Sequence, residues 1–185
     1  MYVNGKQMGQ HKGGYTPFAI DITTALKDGE NDLCVRVQDD PDCTQPRGKQ
    51  YWAEGLMGCW YTPVSGIWQT VYLEAVGEIG VKYVHITPDI DNHMFTAEIA
   101  LDKRPTCPLD LELTVTFEGK LKRKVRVNCE DRITRVPVDL IVKADLDPIY
   151  IWQPGAPFLY DLKVRVLKDD TAVDMVDTYF GMRKV

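Results

Sequence analysis

The chain has 185 residues, 44% of them hydrophobic and 26% charged, and a formal net charge of −5. That composition is ordinary for a globular protein with a sizeable core, and it leaves room for one or two domains. The acidic balance argues against a phosphate-backbone partner, so no nucleic acid is expected, and no apolar run approaches the ~20 residues of a membrane span.

The chain opens on Tyr2-Val3 followed by Asn4-Gly5, a strong hairpin signal, so it begins one residue before a turn. A domain rarely starts so late in a hairpin, and the expectation is a fragment whose parent N-terminus lies elsewhere. Gly9 to Thr16 reads as a Gly-rich loop carrying His11. Phe18, Ile20 and Ile22 alternate as a strand over 17–22. Asp21 and Thr23 offer capping oxygens for a short turn over 24–27, closed by Asp28-Gly29. Leu33, Val35 and Val37 predict a second strand, in which Cys34 is expected to be buried. A long irregular loop follows over 46–65, rich in Gly, Pro and aromatic residues, and then a strand over 67–73.

Beyond a short linker at 77–80 the texture changes to regular alternation. Val84 and Ile86 mark one strand, Phe95 to Leu101 the next, and Leu109 to Phe117 alternates without a fault up to the turn Glu118-Gly119. Leu121, Val125 and Val127 form the return strand, and its basic residues read as a solvated face. Val136, Val138, Leu140 and Val142 follow, with Pro137 facing out as at a sheet edge. Leu162 to Val166, the turn Asp169-Asp170 and residues 173–179 complete the set. Roughly seven short strands in roughly 105 residues predict an immunoglobulin-like or fibronectin-like β-sandwich. Residues 1–77 supply too few strands for a closed sandwich of their own, and no helix longer than a turn or two is predicted.

The residues exclude more chemistry than they offer. The only serine, Ser65, lacks a nucleophile-elbow frame. His85 and His93 share no ligand spacing with a cysteine or carboxylate, so no metal is expected. Asp40, Asp42 and Glu54 lie near the aromatic loop, but a glycosidase needs two carboxylates ~5 to 9.5 Å apart on rigid elements, and nothing places such a pair. No catalytic residue and no cofactor are therefore expected in this chain. Five cysteines without a CxxC pair argue against a disulfide framework and lean toward a reducing, cytoplasmic compartment. The aromatic loop is the strongest candidate site. Trp52, Trp60 and Tyr61 can stack on the C–H faces of a sugar, and Arg47, Lys49 and Gln50 can bond its hydroxyls, with His11 as a further contact. The same tryptophans, with Trp68, can equally pack the loop onto a neighbouring domain.

Val-Asn-Gly-Lys at 3–6, His-Lys-Gly-Gly-Tyr-Thr-Pro-Phe at 11–18, Asp-Ile-Thr at 21–23, Gly-Glu-Asn at 29–31 and Ser-Gly-Ile-Trp-Gln-Thr-Val-Tyr-Leu at 65–73 occur in the order found in glycoside hydrolase family 2. Ile-Trp-Gln-Pro-Gly-Ala-Pro-Phe-Leu-Tyr at 151–160 and Phe-Gly-Met-Arg at 180–183 extend the resemblance over nearly the whole chain. Its flavour is that of the bacterial β-galactosidases, with β-glucuronidase and β-mannosidase as open alternatives. The resemblance implies an all-β chain. Residues 1–77 would be the C-terminal half of a galactose-binding-like jelly roll, and 78–185 an immunoglobulin-like sandwich. A catalytic (β/α)₈ barrel with the two glutamates of a retaining mechanism would follow outside this sequence. The implied partners are a β-galactoside and that barrel, and the implied role is non-catalytic: shaping the pocket rim and bracing the barrel. Some members lend an aspartate to sugar and sodium five residues before the Ser-Gly-Ile motif. Trp60 stands at that position here, giving an aromatic wall instead. A free-standing carbohydrate-binding or adhesion module is the rival reading. The unpaired edges of a half jelly roll are expected to drive homo-oligomerisation.

Overall fold

The computed structural model describes residues 1–40, 44–53, 57–141 and 148–184. The chain divides into two compact units, Met1–Leu73 and Glu74–Val185.

In the first unit, β1 (Tyr2–Val3) pairs antiparallel with β2 (Lys6–Gln7) and with β3 (Leu33–Cys34), in the order β2-β1-β3. Asn4 and Gly5 take φ of 51° and 80°, the left-handed pair that a two-residue hairpin turn demands. Asn4 is also a tie. Its Nδ2 donates to the carbonyl of Ala25 and to Asn31 Oδ1, both at 2.8 Å, and its Oδ1 accepts from the amide of Asp32 at 3.0 Å. Asn31 in turn bonds the backbone of Lys27 and Gly29. The Asn-Gly and Gly-Glu-Asn stretches are thus one polar lock across the 3₁₀ turn Thr23–Ala25, which opens where Asp21 Oδ1 accepts from the Thr23 amide at 2.8 Å.

Four expectations fail in this unit. Residues 17–22 and 67–73 are not strands, and the strand expected from Leu33 onward pairs only over Leu33–Cys34. Cys34 is exposed, not buried. The reason is common to all: a strand needs a ladder partner and a covered face, and alternation supplies neither. Val3 is the one fully buried hydrophobic among the described residues of this unit, while Trp68, Val71, Tyr72 and Leu73 stand in the open.

The second unit carries the core. Seven strands are described: β4 (Val81–Asp89), β5 (Met94–Leu101), β6 (Leu109–Phe117), β7 (Lys120–Cys129), β8 (Ile133–Asp139), β9 (Tyr160–Lys168) and β10 (Thr171–Phe180). They form a three-stranded sheet, β4-β5-β8, and a four-stranded sheet, β10-β9-β6-β7, all pairs antiparallel. This is the sandwich that the alternation predicts. Phe95, Ala97, Ile99 and Leu101 from one sheet and Leu111, Leu113, Val115 and Val164 from the other have no exposed surface. Pro137 faces solvent on β8, which among the described residues pairs only with β5 and is an edge. Val142 lies outside the described residues. The turns Glu118-Gly119 and Asp169-Asp170 both take left-handed φ.

One face assignment departs from simple alternation. The β6–β7 register shifts between Val115 and Thr116, so Thr116 pairs with Leu121 and Val115 with Arg123. The extra residue turns Leu121 to the outside, 63% exposed, while Val125 and Val127 remain packed on the core. On the outer face, Glu112 binds Arg165 and Lys124, and Arg126 binds Asp110 and Asp170, so Lys124 and Arg126 of β7 belong to a paired, solvated surface. Arg123 departs from the expected solvated face: it stands opposite the inward Val115, and its Nε is buried without a hydrogen-bond partner among the described residues.

At one end of the sandwich Phe117 stacks on Tyr150 with ring centroids 4.0 Å apart, and Phe158 and Tyr160 complete the cluster. Tyr160, fully buried at the start of β9, accepts a hydrogen bond on its hydroxyl from the amide of Tyr150 at 2.8 Å. That is the tyrosine-corner device of immunoglobulin-like sandwiches, a strand-start tyrosine tying down the chain upstream of it.

Candidate functional site

The aromatic loop is built from a short backbone bridge. Tyr61 donates its amide to the carbonyl of Lys49 at 2.8 Å and accepts from the amide of Tyr51 at 2.9 Å, which pairs Gln50 with Tyr61. Gly48 and Gly58 take left-handed φ of 60° and turn the chain on either side of the bridge. Alternation then places Gln50 and Tyr61 on one side and Tyr51 and Trp60 on the other. Trp52 meets Trp60 edge-to-face at 5.0 Å, and Tyr51 lies 5.1 Å from Trp52 and 6.4 Å from Trp60. These are the spacings of interacting rings. Trp52 is 44% exposed, so the cluster is not sealed into a core.

The polar candidates divide. The Arg47 guanidinium is turned inward: Nη1 donates to the Asp40 carbonyl at 2.6 Å and lies 4.0 Å from Asp39 Oδ1. Gln50 Oε1 accepts from the Val64 amide at 2.8 Å, so half of its amide is committed to closing the loop. Lys49 is exposed beside the bridge. His11 is held apart from the cluster, stacked on Phe18 at 4.3 Å with Nε2 3.4 Å from Thr16 Oγ1. Trp68 is an anchor, not part of the cluster: its indole donates to the Gly14 carbonyl at 2.7 Å. Tyr15 likewise donates to the Pro46 carbonyl at 3.1 Å.

The sequence reading passed over Asp39. Its carboxylate accepts from Ser65 Oγ at 3.0 Å and Gln45 Nε2 at 3.3 Å, and Arg47 stands beside it. The available signal was only an Asp-Asp pair where a strand pattern gives way to a loop. Asp42 and Glu54 lie outside the described residues. Among the described residues, no three of His, Cys, Asp and Glu gather as they would to hold a metal ion, and no helix is long and apolar enough to cross a membrane.

The two later motifs meet in the second unit. Ile151 pairs with Met182, the Trp152 amide donates to the Met182 carbonyl at 2.8 Å, and Arg183 lies over the Trp152 ring at 5.5 Å. Gly181 sits against Trp152 so closely that an added Cβ would fall 3.0 Å from Trp152 Cβ.

The family model of the glycosyl hydrolases family 2 matches residues 79–183, more than half of the chain. The chain belongs to glycosyl hydrolases family 2. The family match coincides with the sandwich unit. The aromatic loop lies ahead of it, in the part covered by full-length alignments to relatives. A β-galactosidase from Thermoanaerobacter pseudethanolicus is 26% identical over 100% of this chain and 24% of its own length. A β-galactosidase from Clostridium acetobutylicum is 26% identical over 99% of this chain and 19% of its own. A putative β-glucuronidase from Formosa agariphila is 27% identical over 99% and 21%. The chain therefore spans about a fifth to a quarter of the family 2 relatives it matches. A β-glycosidase structure from Bacteroides vulgatus shares the fold, with a TM-score of 0.70 at 20% identity, over 99% of this chain and 22% of that one.

Proposed function

We propose that this chain is a non-catalytic portion of a β-galactosidase-like retaining glycosidase, in which the first unit is half of a sugar-binding jelly roll and walls one side of the pocket. The observation that carries the reading is the Trp52–Trp60 pair, edge-to-face at 5.0 Å with Tyr51 alongside and Trp52 open to solvent. A sugar ring presents an apolar C–H face, and a rigid aromatic corner offers it large contact area with few rotors to freeze. Lys49, Tyr61 and the free end of the Gln50 amide are the nearby groups for hydroxyl contact, and His11 belongs to a separate part of the rim. Arg47 serves by holding the loop. The sandwich unit, tied off by Tyr160 and by the Trp152–Met182 staple, braces a catalytic barrel that carries both glutamates outside this sequence. Relatives named β-galactosidase support a β-galactoside as the substrate. The β-glucuronidase among them supports a β-glucuronide as the second reading.

Titration of the chain with methyl β-D-galactopyranoside, followed by tryptophan fluorescence, tests the wall. Binding that Trp60→Ala abolishes, with the sandwich's melting temperature unchanged, is the expected result. Binding that survives both Trp60→Ala and Trp52→Ala refutes it. The isolated chain should release no nitrophenol from a nitrophenyl β-galactoside, and measurable hydrolysis would overturn the non-catalytic assignment.

A further inference from the structure

Both ends of the aromatic loop are gripped by one carboxylate that is not in the loop. Asp39 Oδ1 accepts from Gln45 Nε2 at 3.3 Å, with Arg47 Nη1 4.0 Å away, and Oδ2 accepts from Ser65 Oγ at 3.0 Å. Gln45 and Arg47 stand where the chain enters the loop, and Ser65, the only serine in the sequence, stands where it leaves. The neighbouring Asp40 carbonyl accepts from the same two donors, Gln45 Nε2 at 2.5 Å and Arg47 Nη1 at 2.6 Å. The Arg47 side chain is 9% exposed and that of Asp39 30%, while Gln45 and Ser65 lie at the surface. Bonds to an ionised acceptor are roughly twice as strong as neutral ones.

We propose that Asp39 is the positioning residue of the aromatic wall. By closing the neck between Arg47 and Ser65 it sets the direction in which Trp52 and Trp60 present their rings. Without it, the bonds that remain among the described residues are those of Gln45 and Arg47 to the Asp40 carbonyl, of Tyr15 to the Pro46 carbonyl, the Gln50–Tyr61 bridge and the Gln50–Val64 bond; they hold the entry and the middle of the loop but do not tie Ser65, at its exit, back to the entry. A ligand meeting a loop free to swing would have to order it on binding, and that cost appears as lost affinity. The inference rests on the sugar-wall reading for its ligand, and on geometry alone for the positioning.

The test uses Asp39→Ala, Asp39→Asn and Ser65→Ala in the 185-residue chain, with three readouts. The first is the far-ultraviolet exciton couplet of the Trp52–Trp60 pair, assigned by its loss in Trp60→Phe. The second is acrylamide quenching of tryptophan. The third is affinity for methyl β-D-galactopyranoside. Asp39→Ala should collapse the couplet, raise quenching and weaken binding at least about tenfold, while the sandwich melts as before. Asp39→Asn keeps one acceptor for Ser65 and should restore part of the couplet. Ser65→Ala removes a single bond and should lie between wild type and Asp39→Ala, so the idea stays testable even if Asp39→Ala misfolds. An unchanged couplet and unchanged quenching in both Asp39→Ala and Ser65→Ala overturn the proposal. A couplet that collapses in a chain that never binds the galactoside leaves Asp39 as the positioning residue and removes the sugar reading instead.

Discussion

Replacing Tyr160 with phenylalanine deletes one hydroxyl and keeps the ring, which stacks near Phe180 at 5.4 Å and near Phe117 at 5.1 Å. What is lost is the acceptor for the Tyr150 amide at 2.8 Å. That amide is partly buried, so the cost lies between the net worth of an ordinary hydrogen bond and that of a stranded donor, about 1–2 kcal/mol. For a domain of this size that is a fall of roughly 4–8 °C in Tm. The pH dependence gives a second, independent handle. Burial pushes the Tyr160 phenol up, against a smaller opposing effect of the Tyr150 amide bond. A group whose folded pKa is raised contributes stability that is complete below the ordinary phenol value of about 10 and is lost as pH rises beyond it. Calorimetry from pH 7 to 11 should therefore show a steep alkaline decline in wild type and a shallower one in Tyr160→Phe. The remainder belongs to groups such as Tyr83, whose phenol donates to Glu98. Equal Tm values at pH 7, or alkaline limbs of equal slope, would refute the corner as an energetic tie.

Gly181→Ala forces Trp152 to move by a few tenths of an ångström, because the new Cβ meets Trp152 Cβ at 3.0 Å and Cγ at 3.2 Å. A loss of about 1 kcal/mol and an altered Trp152 emission are expected, and an unchanged melt with unchanged fluorescence counts against that contact. Glu112 is nearly buried. Burial raises its carboxyl pKa, but the bonds from Lys124 and Arg165 outweigh burial and hold it below the ordinary value. Its contribution is present above about pH 4.3 and is lost as pH falls further, so Glu112→Gln should flatten the acid limb of the stability curve. Parallel curves for variant and wild type would remove the argument. The first unit, with Trp68, Val71, Tyr72 and Leu73 exposed, should make the chain self-associate. Light scattering that finds a monodisperse monomer across a hundredfold concentration range contradicts this.

Residues 94–117 show how far alternation alone reaches. Phe95 to Leu101 and Leu109 to Phe117 name their own inward faces, and both faces are buried as read. Leu121 shows where it stops, because one extra residue in the β6–β7 register reversed its side, and no local pattern announces a bulge. In residues 1–73 the same rule misled. Phe18, Ile20 and Ile22, and again Ile67 to Leu73, alternate as strands do, yet they have no ladder partner among the described residues. Alternation states a willingness to pair; pairing itself is a property of two segments.

The aromatic loop divides along the same line. Its composition marked Trp52 and Trp60 as a candidate surface, since glycines, prolines and rings without a period do not make a helix or strand. The sequence by itself determined the sandwich, the inward faces of its strands outside the β6–β7 bulge, its turns and its family motifs, because each depends on residues near one another along the chain. Only the tertiary structure decided that Arg47 faces Asp39, that His11 stands apart, and that a carboxylate 26 residues away holds Ser65. Those are distances between segments far apart in sequence, and only the folded chain brings them together.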